Sequence, residues 1–100
     1  MLEDLHKDSF EACLHTDFQV IHPEEPFDLE LVEVSEQASS PRQETFSIIF
    51  HGPAESPLQQ GMVSLSHEKL GQFALFLVPI ARDPDGFRYE AVFNRLIPAK

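Results

Sequence analysis

The chain has one cysteine, no tryptophan and only four glycines in 100 residues, and it contains no long hydrophobic run. A lone cysteine, Cys13, cannot form a disulfide within the chain, so nothing indicates an oxidising compartment and we expect a cytoplasmic protein. The acidic stretch 1–8 lacks the basic and apolar segments of a secretory signal. No apolar run approaches the ~20 residues of a membrane-spanning helix, so a membrane is not an expected partner.

Basic residues are also scarce, because seven Lys and Arg stand against 17 Asp and Glu, for a formal net charge of −10. Residues 1–36 hold eleven acids and one lysine, whereas residues 37–100 hold six acids and six bases. Nucleic acids and anionic membranes bind clustered Lys and Arg, which excludes both as expected partners. The acidic third is interpreted as solvated faces of a helix and two strands; electrostatic steering of a basic partner is the alternative.

The residues that are present suffice for one core. The sequence is 42% hydrophobic, and its nine Phe are spread from Phe10 to Phe93. A chain of this length buries roughly 65% of its unfolded surface and folds without staples. We therefore predict a single domain over residues 1–100.

Two apolar runs, 72–80 and 87–93, form the clearest local pattern. They are joined by Asp83-Pro84-Asp85-Gly86, in which proline presets the first corner of a turn and glycine tolerates the closing conformation. This arrangement predicts a β-hairpin.

The register of this hairpin follows from matching its apolar residues. A four-residue loop pairs Arg82 with Phe87, and three apolar pairs then follow: Ile80 with Tyr89, Val78 with Ala91, and Phe76 with Phe93. A slip of one residue would place Val78 opposite Glu90, so the pattern favours the first register. The other face carries Leu75, Leu77 and Val92, and a strand that is apolar on both faces is expected to be covered on both.

Residues 5–14 predict a short N-terminal helix with three apolar residues on one face, Phe10, Cys13 and Leu14. Its N-cap is either Asp8, with Glu11 completing a capping box, or His6, which would allow a hydrophobic staple. A helix of about two turns is unstable alone and must dock on the sheet. It is the candidate cover for the outer face of the hairpin. If it docks elsewhere, that face is where a partner is expected.

Four further strands are predicted, at residues 17–22, 27–34, 44–50 and 62–65. In the second of these the apolar positions change parity between Leu31 and Val32, which indicates a bulge or a strong bend. In the third, Phe46, Ile48 and Phe50 are expected to face inward. Residues 35–43 are polar and predict a mobile loop.

Six short strands preceded by one helix indicate a mainly β fold. We predict a small antiparallel six-stranded meander, closed or partly open as a barrel. A barrel is favoured over a sandwich because the meander order permits closure without long crossovers.

Several of these segments resemble one protein family. They are residues 46–53, the Gln60-Gly61 pair, residues 71–80 and Tyr89-Glu-Ala-Val-Phe-Asn94, and together they are similar to DUF6916, a family of small bacterial proteins of unknown function. Family members carry a short helix with a Phe at its start, like Phe10, and often a glycine before the first strand, where this chain has His15 or Thr16. The resemblance implies a bacterial, intracellular protein, and some members lie beside genes for phage-tail-like components, which implies an accessory assembly role.

The five histidines are His6, His15, His22, His51 and His67, and they show none of the paired spacings of a zinc site. His51 and His67 end the third and fourth predicted strands, and antiparallel pairing of these strands would place them at opposite ends of the resulting hairpin. The only local histidine-carboxylate cluster, His22 with Glu24 and Glu25, is interpreted as a solvated loop. No metal or cofactor is predicted.

Cys13 and Asn94 are the other residues whose side chains could take part in chemistry. Cys13 could act as a nucleophile only with a nearby base, and His15 would point elsewhere on a helix, so Cys13 is interpreted as a core residue. Asn94 follows an apolar strand, and we expect its amide to tie the strand end to a neighbouring loop rather than to bind a ligand. No catalytic or binding residue is assigned.

The sequence therefore favours a non-enzymatic interaction or structural module with a protein partner or a second copy of itself. A small-molecule-binding β-barrel is the alternative. An internal apolar cavity of about 300 Å³ or more would favour that alternative.

Overall fold

The structure, a computed structural model, describes residues 6–21, 27–40, 43–54 and 58–96. Within them one short helix precedes six strands. Their bounds are α1 Lys7–Glu11, β1 Asp17–Val20, β2 Phe27–Ser40, β3 Gln43–Pro53, β4 Gly61–His67, β5 Gly71–Asp83 and β6 Gly86–Leu96.

The strands pair antiparallel and close into a barrel in the order β1-β2-β3-β6-β5-β4. The predicted class, six antiparallel strands with one short helix, is confirmed. The predicted meander order is wrong, because β3 pairs with β6 over its whole length, from Gln43↔Leu96 to Pro53↔Gly86. The β4 strand closes the ring against β1 through Val20↔Leu65. The connection from β3 to β4 is too long to enforce a tight hairpin, so the long apolar β3–β6 ladder forms instead.

The β2–β3 hairpin is longer than predicted. The expected mobile loop over 35–43 is wrong, since β2 runs to Ser40 and β3 begins at Gln43. The expected bulge is confirmed by a register shift between Leu31 and Glu33, and a second shift lies between Glu36 and Ala38. Polar side chains continue a strand when their backbone groups are paired across it.

The β5–β6 hairpin has the predicted turn but not the predicted register. Arg82 pairs with Phe87, as expected, but Pro79 pairs with Tyr89 and Val78 with Glu90. The register shifts between Pro79 and Ala81, which leaves Ile80 as the extra residue of a bulge. Proline has no N–H to donate to a ladder, and bulges are where a strand tolerates it.

This bulge reverses the predicted faces of β5. Leu75 and Leu77 are buried, whereas Phe76, predicted to be inside, is 49% exposed. The inward direction predicted for Tyr89, Ala91 and Phe93 is confirmed, whereas Val92, whose face was expected to be covered, is exposed.

The barrel interior is filled by large side chains. Those with almost no exposed surface are Phe10, Phe18, Leu29, Leu31, Phe46, Ile48, Phe50, Leu65, Leu77 and Tyr89. The inward direction predicted for Phe46, Ile48 and Phe50 is therefore confirmed. These side chains form one continuous apolar core.

The helix closes one end of this barrel. Its N-cap is His6, the second of the two predicted alternatives. The His6 backbone N–H donates a hydrogen bond to Ser9 Oγ at 3.2 Å. The Phe10 ring lies 6.2 Å from Phe73 and 5.3 Å from Phe93, measured between ring centroids. The expectation that the helix covers the outer face of the hairpin is wrong, because its apolar face points into the barrel.

The turn after the helix contains the one non-glycine residue with a positive φ among the described residues, His15 at 65°. Its backbone N–H donates to the Leu31 carbonyl at 2.7 Å, which fastens the turn to β2. A left-handed conformation costs a side chain with a Cβ more than it costs glycine.

Candidate functional site

Buried polar contacts surround His67 at the end of the barrel that the helix closes, here the helix end. Its Nδ1 accepts hydrogen bonds from the backbone N–H groups of Lys69 and Leu70, at 3.0 and 3.3 Å. Since Nδ1 accepts, we assign the ring proton to Nε2, which donates to Thr16 Oγ1 at 2.9 Å. The Thr16 hydroxyl donates in turn to the Cys13 carbonyl at 2.6 Å.

The His67 ring also packs on Phe18, with centroids 4.3 Å apart. Burial lowers the pKa of His67 below its ordinary value of 6.5, because a charged imidazole loses hydration there. Both ring nitrogens are used by the fold. This side chain fastens the β4–β5 turn to the segment that follows the helix.

The opposite end of the barrel, here the hairpin end, contains a half-buried cluster around Asp83. Its Oδ1 accepts hydrogen bonds from His51 Nε2 at 3.2 Å and from the backbone N–H groups of Asp85 and Gly86 at 2.9 and 2.8 Å. The hydrogen bond from His51 is the largest cause lowering the pKa of Asp83, and the two backbone N–H groups add to it. Arg88 Nε lies 3.6 Å from Oδ2. This carboxylate caps the β5–β6 turn.

Gly86 in that turn passes very close to β3. A Cβ built on it would lie 1.9 Å from the Gly52 carbonyl oxygen and 3.3 Å from the His51 ring. The close approach requires glycine. The predicted pairing of β3 with β4 is wrong, but His51 and His67 still lie at opposite ends of the barrel.

The other residues considered from the sequence, Cys13, His15 and Asn94, do not form a common site. Cys13 is buried, as predicted, and His15 points away from it toward Glu30, with Nδ1 3.5 Å from Oε2. Asn94 is exposed within β6, and its Oδ1 accepts hydrogen bonds from Gln43 Nε2 and from Thr45 Oγ1. The predicted tie therefore joins β6 to β3 and not to a loop.

His22, Glu24 and Glu25 lie outside the described residues. Over the part of the chain that is described, no group of three or more His, Cys, Asp or Glu side chains is placed to hold a metal ion. No helix in that part is long and apolar enough to cross a membrane.

The outer side of β4 and β5 presents an apolar surface. Met62 pairs with Phe76, and two residues further along the strands Ser64 pairs with Ala74. Met62 is 67% exposed, Phe76 49% and Ile21 44%. The Ile21 backbone N–H donates to the Ser64 carbonyl at 2.9 Å, so Ile21 lies beside this row. We call Ile21, Met62, Ser64, Ala74 and Phe76 the apolar patch.

The apolar patch is not flat. A depression of about 400 Å³, open to solvent, is lined by Ile21, Ser64, Gln72, Phe73 and Ala74. The large side chains of Met62 and Phe76 are the next residues on the same face of the two strands. Protruding and recessed positions therefore lie side by side.

The five residues of the apolar patch carry no charge. The neighbouring outward positions Ser66 and Gln72 are also uncharged. Along β1 and β2, in contrast, the exposed or half-buried acids are Asp17, Asp28, Glu30, Glu33 and Glu36. Asp28 lies opposite Gln19, which pairs with Ser66, so the acidic positions begin on the strands next to the patch.

The sequence did not reveal this surface: Phe76 was predicted inside because the hairpin register was predicted without a bulge, and no local pattern brought Met62 and Ile21 beside it. The available signal was Pro79, a residue that interrupts a paired strand.

The comparisons with known proteins add a family and no function. A search of the curated proteins and a search of the solved structures each found no match. The family model for a domain of unknown function, DUF6916, matches residues 5–93. That span covers both ends of the barrel and the whole apolar patch. The chain therefore belongs to the DUF6916 family.

Proposed function

We propose that this domain is a non-enzymatic interaction module that binds a protein through the apolar patch. The observation that carries the proposal is the exposure of Met62, Phe76 and Ile21 in a patch of uncharged residues, on a chain with a net charge of −10. Contiguous exposed apolar surface on a soluble domain marks a place of association. Depletion of charge with enrichment in aromatic residues and Met is typical of the centre of protein interfaces.

The side chains that chemistry would use have structural roles. His67 is hydrogen bonded through both ring nitrogens, Cys13 is buried, and Asp83 caps a turn. These engagements favour a binding role over catalysis. An accessory role in a larger, phage-tail-like assembly, which the family resemblance implies, is part of the same proposal.

A small-molecule-binding barrel is the competing function. The depression reaches the volume of small-molecule sites, which begin at about 300 Å³. It is open, however, and such sites enclose most of their ligand's surface. The interior positions are occupied by buried aromatic and aliphatic side chains. Both features favour a protein partner.

Site-specific photocrosslinking in the cells of origin tests the proposal. A photoreactive phenylalanine analogue replacing Phe76 should give protein adducts, because the side chain is expected at the centre of the contact. The same analogue replacing Asp28, an exposed position on the acidic side, should give none. Equal adducts at both positions, or none at Phe76 with a small molecule retained in the native mass spectrum, would contradict the proposal.

A further inference from the structure

We infer that the partner at the apolar patch is a second copy of this chain, in a two-fold symmetric dimer. This inference rests on the proposed function and names its partner. It follows from the order of large and small side chains along β4 and β5, and from the absence of charge at the patch.

The first argument is shape. The Met62–Phe76 row projects, and the Ser64–Ala74 row lies two residues away on the same face, a separation of about 7 Å. A two-fold axis that lies in the interface, across the strands and midway between the rows, exchanges them. Phe76 of each copy then lies over Ala74 of the other, and Met62 over Ser64. Isologous interfaces require this kind of self-complementarity.

The depression supplies the space. It is lined by Ile21, Ser64, Phe73 and Ala74, with a volume of about 400 Å³, enough to accept an aromatic side chain. Large side chains facing small ones allow two surfaces to interdigitate at the density of a protein interior. The row of small residues therefore complements the row of large ones.

The second argument is charge. Two chains with a net charge of −10 repel each other if their acidic sides meet. The patch residues carry no charge, and Asp28, whose row of paired residues leads to Ser66, is separated from it by the uncharged Gln19. Contact through the patch brings no acid of β1 or β2 against its copy, and salt screens charges more than about 8 Å apart. A basic partner, in contrast, would be expected to bind where the acids are.

The experiment measures mass in solution by light scattering on a size-exclusion column and the dimer dissociation constant by sedimentation. The wild-type chain should have twice the monomer mass of 11.4 kDa. Phe76→Glu and Ala74→Lys should each raise the dissociation constant at least about thirtyfold, because each places a charge against an apolar surface. Ile80→Glu is the matched control, since Ile80 is 46% exposed on the same strand but lies outside the patch, and it should leave the mass unchanged.

Mixing the two variants separates a specific interface from a general loss of solubility. In the proposed dimer, position 74 of one copy faces position 76 of the other. An equimolar mixture of Ala74→Lys and Phe76→Glu chains therefore has one Lys–Glu contact and one Phe–Ala contact, and dimer mass should return. Thermal melts of each variant confirm that both are folded.

Two results would overturn the inference: a wild-type chain that stays monomeric up to about 1 mM, or folded single variants whose mixture stays monomeric. Photocrosslinks from Phe76 to a different protein would then leave the proposed function standing. Crosslinks to no protein at all would remove both.

Discussion

The two ends of the barrel are closed in different ways. At the helix end, Phe10 fills the opening from within, in contact with Phe73 and Phe93, and His67 is buried beside it. At the hairpin end, half-buried polar groups hold a turn around Asp83. The helix end gains stability from apolar burial, whereas the hairpin end depends on hydrogen bonds and on a close backbone approach.

This difference determines how each end responds to change. Apolar burial is lost when volume is removed, and the cost grows with the cavity left behind. Hydrogen bonds near solvent contribute less, since water replaces them. Close backbone contact, however, tolerates no added atom.

The largest effect is expected from Phe10→Ala at the helix end. The side chain is fully buried and contacts three aromatic rings, so its loss should lower the free energy of unfolding by about 3–5 kcal/mol. Denaturant unfolding measures the change. Phe10→Leu, which keeps most of the volume, should lose much less. Equal losses would mean that filling the opening is not what stabilises this end.

Gly86→Ala should be the most damaging small change at the hairpin end. Its new Cβ would collide with the Gly52 carbonyl oxygen, and we expect a loss of about 2 kcal/mol. Gly61→Ala is a closely matched control, because the two φ angles are 157° and 158° and nothing lies within 4 Å of a Cβ at Gly61. The difference between the free energies of unfolding of the two variants isolates the effect of the collision. Similar losses in both would show that backbone conformation, and not the contact, requires glycine.

The two ends should also weaken at different pH. The pKa of His67 is lowered in the folded chain, so the unfolded chain binds the proton more tightly and stability falls as pH drops below about 6.5. The pKa of Asp83 is lowered from 3.8, so its contribution is lost only at still lower pH.

Denaturant unfolding between pH 7 and pH 5 tests the effect of His67, which we expect to be below about 1.5 kcal/mol. A His67→Gln variant should lose part of this dependence, whereas Asp83→Asn should retain it. An unchanged slope in the His67 variant would assign the dependence to other histidines.

The smallest expected effect is a gain at the helix end. His15 has a φ of 65°, so His15→Gly should raise stability by about 0.5–1 kcal/mol by relieving the left-handed conformation. His15→Ala removes the same contact with Glu30 without this relief and should give no gain. The difference in melting temperature between the two variants is the measurement. If alanine stabilises as much as glycine, the side chain and not the backbone is responsible.

The sequence was sufficient for the class of the fold and for much of its core. Alternation identified Phe46, Ile48 and Phe50 as inward residues, and the parity switch after Leu31 located a bulge. Burial of Cys13 was also predicted, although from helical spacing, whereas the helix ends at Glu11 and Cys13 lies in the turn after it. These predictions depend on local periodicity, which a single sequence displays directly.

Strand order and hairpin register could not be predicted from the sequence. Pairing of β3 with β6 depends on which distant strand offers the longest matching ladder, and no local pattern reports that choice. The register failed because β5 is apolar on both faces, so that its pattern fits either direction of its side chains. The apolar patch was missed for the same reason, and with it Phe76.

The bulge at Ile80 has a consequence for how this surface can change. The extra residue changes the register of β5 against β6 by one position. It therefore determines whether Leu75 and Leu77 or Phe76 and Val78 face solvent. Without this residue, the side-chain directions set by pairing with β4 would conflict with those set by the β5–β6 turn. Which side chains of β5 are exposed thus depends on the number of residues in the strand as much as on their identity.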